Sequence, residues 1–389
     1  MTDRADVVVV GGGPAGSWAA RSAAQAGASV MVFEKDREIG LPVRCAEGVS
    51  SRGLEGLVTV RPSWIAREVR GAKLVAPDGT VVTACPGDTG TVLHRKVFDA
   101  DLAAMAAEAG AVFLTKACVT GLLRENGAVS GVRVEHLGRI FDVAAKIVIG
   151  ADGVESAVGR WAGLDTRTPP EFIASCAQAT VAGLDPDPEL AEFHFGSAVA
   201  PGGYAWVFPK GGRTANVGLG VPEAACRVRK PVDLLKDFLE RRCPGASVLT
   251  WIAGGVPLCP PRGDIVADGL ILVGDAAHQA SPLTGGGILN ALIAGRLAGE
   301  TAAGCVRRGD VSKKALGAYV KAWMKAEGEN IERDFRIKKV VYGLSDEELN
   351  GVARTLSAIP EEKRTAAEIF KAGLFKHPKL AFEMFRSFF

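Results

Sequence analysis

Val7–Val10 is an unbroken apolar run with the β-branched character of a strand buried on both faces, and a cluster of glycines ends it abruptly. An Ala-rich segment of helical length follows, then a second apolar strand at Ser29–Phe33 that closes on Glu34. This strand, helix, strand alternation predicts a parallel α/β sheet. The pattern then changes: residues 35–53 are dense in Gly, Pro and charge and read as a long loop. Val69–Val82 alternates around a Pro-Asp-Gly turn, which predicts a β-hairpin. Lys96–Gly110 reads as an Ala-rich helix with a glycine stop. Ala111–Thr115, Ala117–Leu123 and Val129–His136 read as short strands, the last two joined by an Asn126-Gly127 turn, and Ile140–Ile149 as a further strand. Strand-like periodicity broken by Pro and Gly runs from Phe172 to about Leu258. Gly269–Val273 is another short apolar strand, a long Ala/Gly/Leu helix starts at Ile288, and the chain from Cys305 onward looks helical and charged.

With 389 residues the chain can bury a large core, and its length suggests two or three domains. Its charges nearly balance at a net +2, so nucleic acid is not among the expected partners. The eight cysteines are scattered without C-x-x-C pairs, and no metal site or dithiol centre is expected. That usage fits a reducing, cytoplasmic compartment. MTDRAD leads straight into the first strand without room for a signal peptide, and no run of about twenty apolar residues is present to cross a bilayer.

Three glycine-containing strand ends carry the candidate chemistry. In the first, Gly11, Gly13 and Gly16 stand at the G-x-G-x-x-G spacing, which suits a tight turn, close backbone approach to a pyrophosphate and close helix packing. Glu34 ends the next strand, where a carboxylate accepts from ribose hydroxyls. The second follows Ile149 as Gly-Ala-Asp-Gly, with Asp152 either at the cofactor edge or acting as a helix cap. The third is Gly274-Asp275-Ala-Ala-His278, then Gly285, Gly286 and Gly287 at the start of the Ile288 helix. Asp275 suits polyol hydroxyls, and the glycines expose N–H groups where the helix dipole favours negative charge. His278 reads as a packed or capping residue, with a role as a catalytic acid left open. A nicotinamide dehydrogenase needs only the first motif; the three together fit FAD lying extended across one sheet edge.

Outside these motifs, Arg44 and Cys45 lie in the loop after the first unit, with the cysteine either a small buried hydrophobe or a reactive thiol. Arg95 stands at a helix start, where it reads as a surface arginine or as a contact to phosphate or to the flavin linker. Tyr204, Trp206 and Phe208 are spaced by two and share one strand face, as a packing surface or as the lining of an apolar tunnel. The residues assigned to the cofactor are Gly11, Gly13, Ala15, Gly16, Glu34, Arg44, Arg95, Val119, Asp152, Asp275, Gly285, Gly286, Gly287 and Ile288.

GGGPAGS, GADGVES and GDAAH with its following glycines resemble the flavoprotein superfamily that includes the aromatic hydroxylases. Within it, PVRCAEG and the P-x-x-Y-x-W-x-F-P segment from Pro201 to Pro209 resemble the geranylgeranyl reductase family, over roughly the first 310 residues. The resemblance implies an α/β, α+β overall, architecture. A Rossmann-like FAD-binding domain (1–68, 90–165 and 262–310) accompanies an antiparallel substrate domain (69–89 and 166–261) and a helical C-terminal region (311–389). It also implies FAD-dependent saturation of geranylgeranyl chains of archaeal membrane lipids, with Cys45, Tyr204 and Trp206 as the catalytic set. An isoprenoid lipid is then the substrate, and the electron donor is left open between ferredoxin, a deazaflavin and NAD(P)H. The basic, apolar C-terminal segment is left open between a packed helix and a peripheral membrane contact. Two other readings stay open: a flavin monooxygenase of an aromatic or apolar metabolite, and a non-catalytic flavin or lipid carrier.

Overall fold

The computed structural model describes residues 3–85 and 89–360. The chain divides into two compact units, the first formed by Met1–Val43, Arg95–Thr168 and Pro257–Glu332, the second by Arg44–His94, Pro169–Val256 and Arg333–Phe389. Residues 44–68 and 90–94, expected with the cofactor domain, belong to the second unit, because Gly48–Ser50, Gly90–Leu93 and Ile65–Val69 form a three-stranded sheet that packs on the strand Tyr204–Gly211. The helix Lys313–Trp323, expected in a separate region, belongs to the first unit, because Leu316, Tyr319 and Trp323 are buried in its core. Within the segment read as a long loop lies the short helix Ser51–Glu55, which Ser50 caps by accepting from the Gly53 N–H at 3.0 Å.

Among the described residues the first unit holds an eight-stranded sheet whose parallel centre runs Leu270–Leu272, Arg139–Gly150, Arg4–Val10, Val30–Phe33, Val112–Leu114. The near-continuous apolar strands follow from burial on both faces: Val7, Val8, Val9, Ile147, Val148 and Ile149 are fully buried. Register sets Val10 opposite both Phe33 and Gly150, and Gly150 opposite Leu272. The carboxyl ends of four strands therefore meet at one edge.

The Pro14–Gln25 helix packs against Ile288–Arg308 almost backbone to backbone. A Cβ on Gly295 would lie 2.5 Å from the Ala15 carbonyl oxygen, and one on Gly299 would lie 2.3 Å from that of Ala19. The small-residue composition of both helices is thus what allows the approach that locks the first glycine turn beside the third.

The second unit holds a seven-stranded sheet in the order Ser247–Pro257, Ile173–Ala182, Thr214–Pro222, Tyr204–Gly211, Leu190–His194, Gly71–Val75, Val81–Ala84. Alternation divides its faces. Ala177, Ala179, Val181, Ala205, Val207, Val217 and Leu219 pack under Leu234, Leu235 and Phe238 of the Pro231–Arg242 helix. Cys176, Gln178, Thr180, Tyr204, Trp206, Phe208 and Asn216 occupy the alternate positions and face the other way. The Gly71–Val75 and Val81–Ala84 hairpin forms as the alternation predicts, and the Asp346–Ser357 helix packs Ala353 and Leu356 against its Ala76 and Val82.

Gly299→Ala tests the helix contact. Alanine favours a helix interior by about 1 kcal/mol, but forced overpacking costs about 1–3 kcal/mol. Urea unfolding of the apoprotein should show a net loss of about 1 kcal/mol or more, and a stabilised variant would contradict this packing.

Candidate active site

The first unit gathers the three glycine motifs. Gly11 has φ +102°, and a Cβ there would meet the Ala151 carbonyl oxygen at 2.3 Å, so the first turn is pressed against the second motif. A Cβ on Gly16 would lie 2.0 Å from the Gly11 oxygen. Gly13 differs: its φ of −69° suits any residue, and nothing in the protein lies within 4 Å of a Cβ built on it. Protein packing therefore does not account for that glycine. Glu34 accepts from the Gly12 N–H at 2.7 Å and from the Asp36 N–H at 2.9 Å, which holds its carboxylate beside the loop.

Asp152 accepts from the Val158 N–H at 2.9 Å through Oδ2, capping the Ala157–Trp161 helix from outside, while its Oδ1 is buried without a partner. Burial raises its pKa. Asp275 lies in the short 3₁₀ turn Gly274–Ala277 at the end of the Leu270–Leu272 strand. A Cβ on Gly287 would lie 3.7 Å from its Oδ1, so the third turn and the Ile288 helix start come together. Burial pushes the Asp275 carboxyl up to about 6, against the opposing pull of the Arg95 guanidinium. Arg95 itself is held by Asp99 through two bonds of 2.7 and 2.8 Å. Gly285 has φ +71°, and Gly287 begins the 21-residue helix with no side-chain cap.

The other residues assigned to the cofactor are placed as follows. Ala15 and Val119 are core residues, Ala15 in the helix contact and Val119 on the Ala117–Glu125 strand. Ile288 is the buried first residue of its helix. Arg44 belongs to the second unit, beside Gly254. His278 is buried at φ +54° as the cap of the 3₁₀ turn, its Nε2 3.1 Å from the Thr168 hydroxyl and 3.2 Å from the Thr166 carbonyl oxygen. Burial lowers its pKa, which fits a neutral packing residue. Two residues that the motifs do not flag steady this turn. Gln279 accepts from the Gly274 N–H at 2.6 Å and donates to the Tyr319 hydroxyl at 2.8 Å, and Tyr319 donates to the Leu272 carbonyl at 3.1 Å.

Cys45, Tyr204 and Trp206 all lie in the second unit. Tyr204, Trp206 and Phe208 form a tilted series with ring centroids 5.9 and 6.4 Å apart, and Phe193 stands 5.7 Å from Tyr204 and 5.3 Å from Phe208. Register explains how an indole fits in this row. Trp206 and Gln178 both pair with Gly218, and a Cβ on Gly218 would lie 2.4 Å from the indole. Across that vacancy the Trp206 Nε1–H donates to Gln178 Oε1 at 2.9 Å. Trp206 and Phe208 are buried, so the row is in large part a packing face, whereas Tyr204 keeps some exposure. The Tyr204 hydroxyl is raised by burial and by the nearby Tyr342, Cys176 and Cys45. The Cys176 thiol is pushed up to about 12 by burial, with Cys226 and Cys45 adding to the rise. Cys45, Cys176, Tyr204 and Tyr342 therefore share one neighbourhood, which brings in a residue from the helical end of the chain. No group of three or more metal-ligating side chains occurs among the described residues.

The glycine turns, the orphaned Asp152 oxygen and the uncapped helix start fit a long anionic dinucleotide, and they define an FAD-dependent oxidoreductase of aromatic-hydroxylase-like architecture. The model of an FAD binding domain matches residues 4–214, and that of the geranylgeranyl reductase catalytic domain matches residues 173–256. Digeranylgeranylglycerophospholipid reductase 1 of Methanococcoides burtonii is 46% identical over 97% of this chain and 94% of its own length. The digeranylgeranylglycerophospholipid reductase of Methanothrix thermoacetophila is 47% identical over 98% of both chains. The crystal structure of a geranylgeranyl bacteriochlorophyll reductase-like protein from Thermoplasma acidophilum superposes with a TM-score of 0.93 at 36% identity, over 100% of both chains. The chain belongs to the geranylgeranyl reductase family.

The raised Asp275 has a testable sign. The unfolded carboxyl ionises near 3.8 and the native one near 6, so the native state holds the extra proton between these values and loses stability as pH rises through that window. Melting temperatures of the apoprotein against pH should show this decline relative to Asp275→Asn, whose curve lacks it. Parallel curves would contradict the assignment.

Proposed function

We propose that this chain saturates C=C bonds in the geranylgeranyl chains of archaeal membrane lipid precursors, using FAD. The observation that carries the reading is the clustering of Cys45, Cys176 and Tyr204 on an aromatic sheet face, in a chain whose other unit presents three glycine turns at one sheet edge. The names of its relatives supply the substrate class.

In this reading the Gly11–Gly16 loop and the Pro14 helix start hold the pyrophosphate. Glu34 accepts from ribose hydroxyls, and Asp152 and Asp275 accept from the remaining hydroxyls of the cofactor. The Gly285–Gly287 turn presents helix N–H groups to the electron-rich edge of the ring. Reduced FAD, when bound, supplies a hydride. An isolated alkene has no carbonyl to take up charge, so a proton must reach the second carbon as the first takes the hydride. Cys45 gives that proton: its S–H bond breaks, a C–H bond forms, and the electron pair stays on sulfur until water reprotonates it. Tyr204 and Trp206 orient the isoprenoid chain, since the Trp206 N–H is already engaged and its ring offers apolar surface.

The reductant is external: a ferredoxin, a deazaflavin or NAD(P)H. A lipid substrate also favours a cytoplasmic enzyme that meets the membrane surface peripherally. No described helix is long and apolar enough to cross a membrane, and the C-terminal segment considered for membrane contact lies outside the described residues.

Anaerobic incubation of dithionite-reduced protein with geranylgeranyl lipids should yield products heavier by two hydrogens for each bond reduced, read by mass spectrometry. No mass gain with any isoprenoid lipid would overturn the reading. Cys45→Ala should retain FAD and lose about 10²-fold or more in rate, within the range for a positioned proton donor. Normal turnover in that variant would remove Cys45 from the mechanism.

A further inference from the structure

Residues 45–47 lie outside helix and strand, and Glu47 has φ +73°, a left-handed conformation that persists in a non-glycine residue only where its surroundings hold it. Those surroundings are a set of side chains from one sheet face. The Glu47 carboxylate is bonded by the Lys210 ammonium and by the Asn216 amide. Lys210 also donates to the Leu93 carbonyl at 3.1 Å, and Asn216 to that of Ala46 at 3.3 Å. The Thr180 hydroxyl, 2.9 Å from Asn216 Oδ1, fixes which way that amide points. The Leu93 N–H donates to the Glu47 carbonyl at 2.9 Å. One end of the segment is thereby anchored.

The other end is held by a single buried amide. Gln178 Nε2 donates to the Cys45 carbonyl at 2.9 Å, and Gln178 Oε1 accepts from Trp206 Nε1 at 2.9 Å. An indole N–H only donates, so Trp206 dictates which end of the amide is oxygen and leaves the NH₂ end for Cys45. Gly218 makes this link possible, because it is the cross-strand partner of both residues and puts no side chain between them. Between the two anchors the Cys45 sulfur accepts from the Glu47 N–H at 3.2 Å, a bond that strengthens as negative charge develops on sulfur.

We propose that Gln178 is a positioning residue for Cys45, oriented by Trp206, and that this clamp presents the thiol in one direction during proton transfer. The proposal rests on the reading of Cys45 as the proton donor. It gives Trp206 a second part, acting on Cys45 through Gln178 as well as on the isoprenoid chain. It also accounts for a buried glutamine directly beside the aromatic row.

Gln178→Met keeps the volume and removes both bonds, while Trp206→Phe keeps a ring and removes only the donor that orients the amide. With dithionite-reduced holoenzyme and a geranylgeranylated glycerophospholipid, Gln178→Met should lower kcat about ten- to hundredfold, the scale for a small misplacement of a reacting group. KM and FAD content should stay within about twofold of wild type. Trp206→Phe should move kcat in the same direction by a smaller factor. Iodoacetamide labelling of the Cys45 peptide, followed by mass spectrometry across pH, should shift in rate or midpoint in both variants. In a Cys45→Ala background, Gln178→Met should add no further loss.

Wild-type labelling and wild-type turnover in Gln178→Met would overturn the clamp, and so would an equal additional loss in the Cys45→Ala background. If Gln178→Met fails to fold, unchanged labelling in Trp206→Phe serves as the overturning result. Wild-type turnover of Cys45→Ala alone would instead defeat the proton-donor role, and the labelling profiles would still report whether Gln178 holds the loop.

Discussion

The arrangement of the first unit depends on strand register. Because Val10 stands opposite both Phe33 and Gly150, and Gly150 opposite Leu272, four parallel strands end together, and the residues that follow them have no choice but to share one edge. A slip of one residue would carry each buried valine to the opposite face, against a different set of neighbours, and would also separate Glu34 from the Gly12 N–H. The contact of Gly295 and Gly299 with the first helix secures the same edge from behind, since it fixes where the third turn stands relative to the first. The geometry of that edge is thus a by-product of how an alanine- and glycine-rich helix pair and a fully buried sheet satisfy their own packing.

The second unit uses a different device. Its sheet keeps one face small and aliphatic for a covering helix and loads the other with aromatic rings, thiols and amides. Gly218, opposite Trp206, gives up a side chain so that the indole can lie across the neighbouring strand, and Gly220, opposite Tyr204, leaves room for the Cys176 sulfur. The polar groups left on that face are bonded to one another or to the Cys45 segment, as the cost of burying an unpaired amide or carboxylate requires. A face built this way is polar where it meets the loop and apolar along its row of rings.

The parts of the molecule legible in the sequence are those whose signals are local. An apolar β-branched run, a glycine turn and an acid at the next strand end are contiguous, so the parallel sheet and its three motifs could be read directly. The spacing by two of Tyr204, Trp206 and Phe208 announced a shared strand face for the same reason. What sequence could not display were relations made by pairing across many residues. Gln178, Asn216 and Lys210 are single polar residues in strand-like stretches, and only the register that sets Gln178 and Trp206 opposite Gly218 gives them a purpose. Tyr319 lies in a helix and Tyr342 in the turn after one, both without a motif, yet one braces the Gly274 turn and the other stands near Tyr204. The expected assignment of residues 44–68 to the cofactor domain followed chain order, whereas their strands pair with Gly90–Leu93 inside the second unit.

The central claim is that one glycine of the turn at the end of the first strand serves a ligand, whereas Gly11 and Gly16 serve the fold. Gly13 isolates that claim, because its backbone suits any side chain and nothing in the protein occupies the space beside it. The most direct measurement is titration of Gly13→Val apoprotein with FAD, followed by flavin fluorescence beside a melting curve. The account predicts stability within about 0.5 kcal/mol of wild type, as for a substitution that meets nothing, together with FAD affinity weakened by about a hundredfold or more, the effect of about 3 kcal/mol of lost contact with a close-bound pyrophosphate. A variant that binds FAD as tightly as wild type would contradict it.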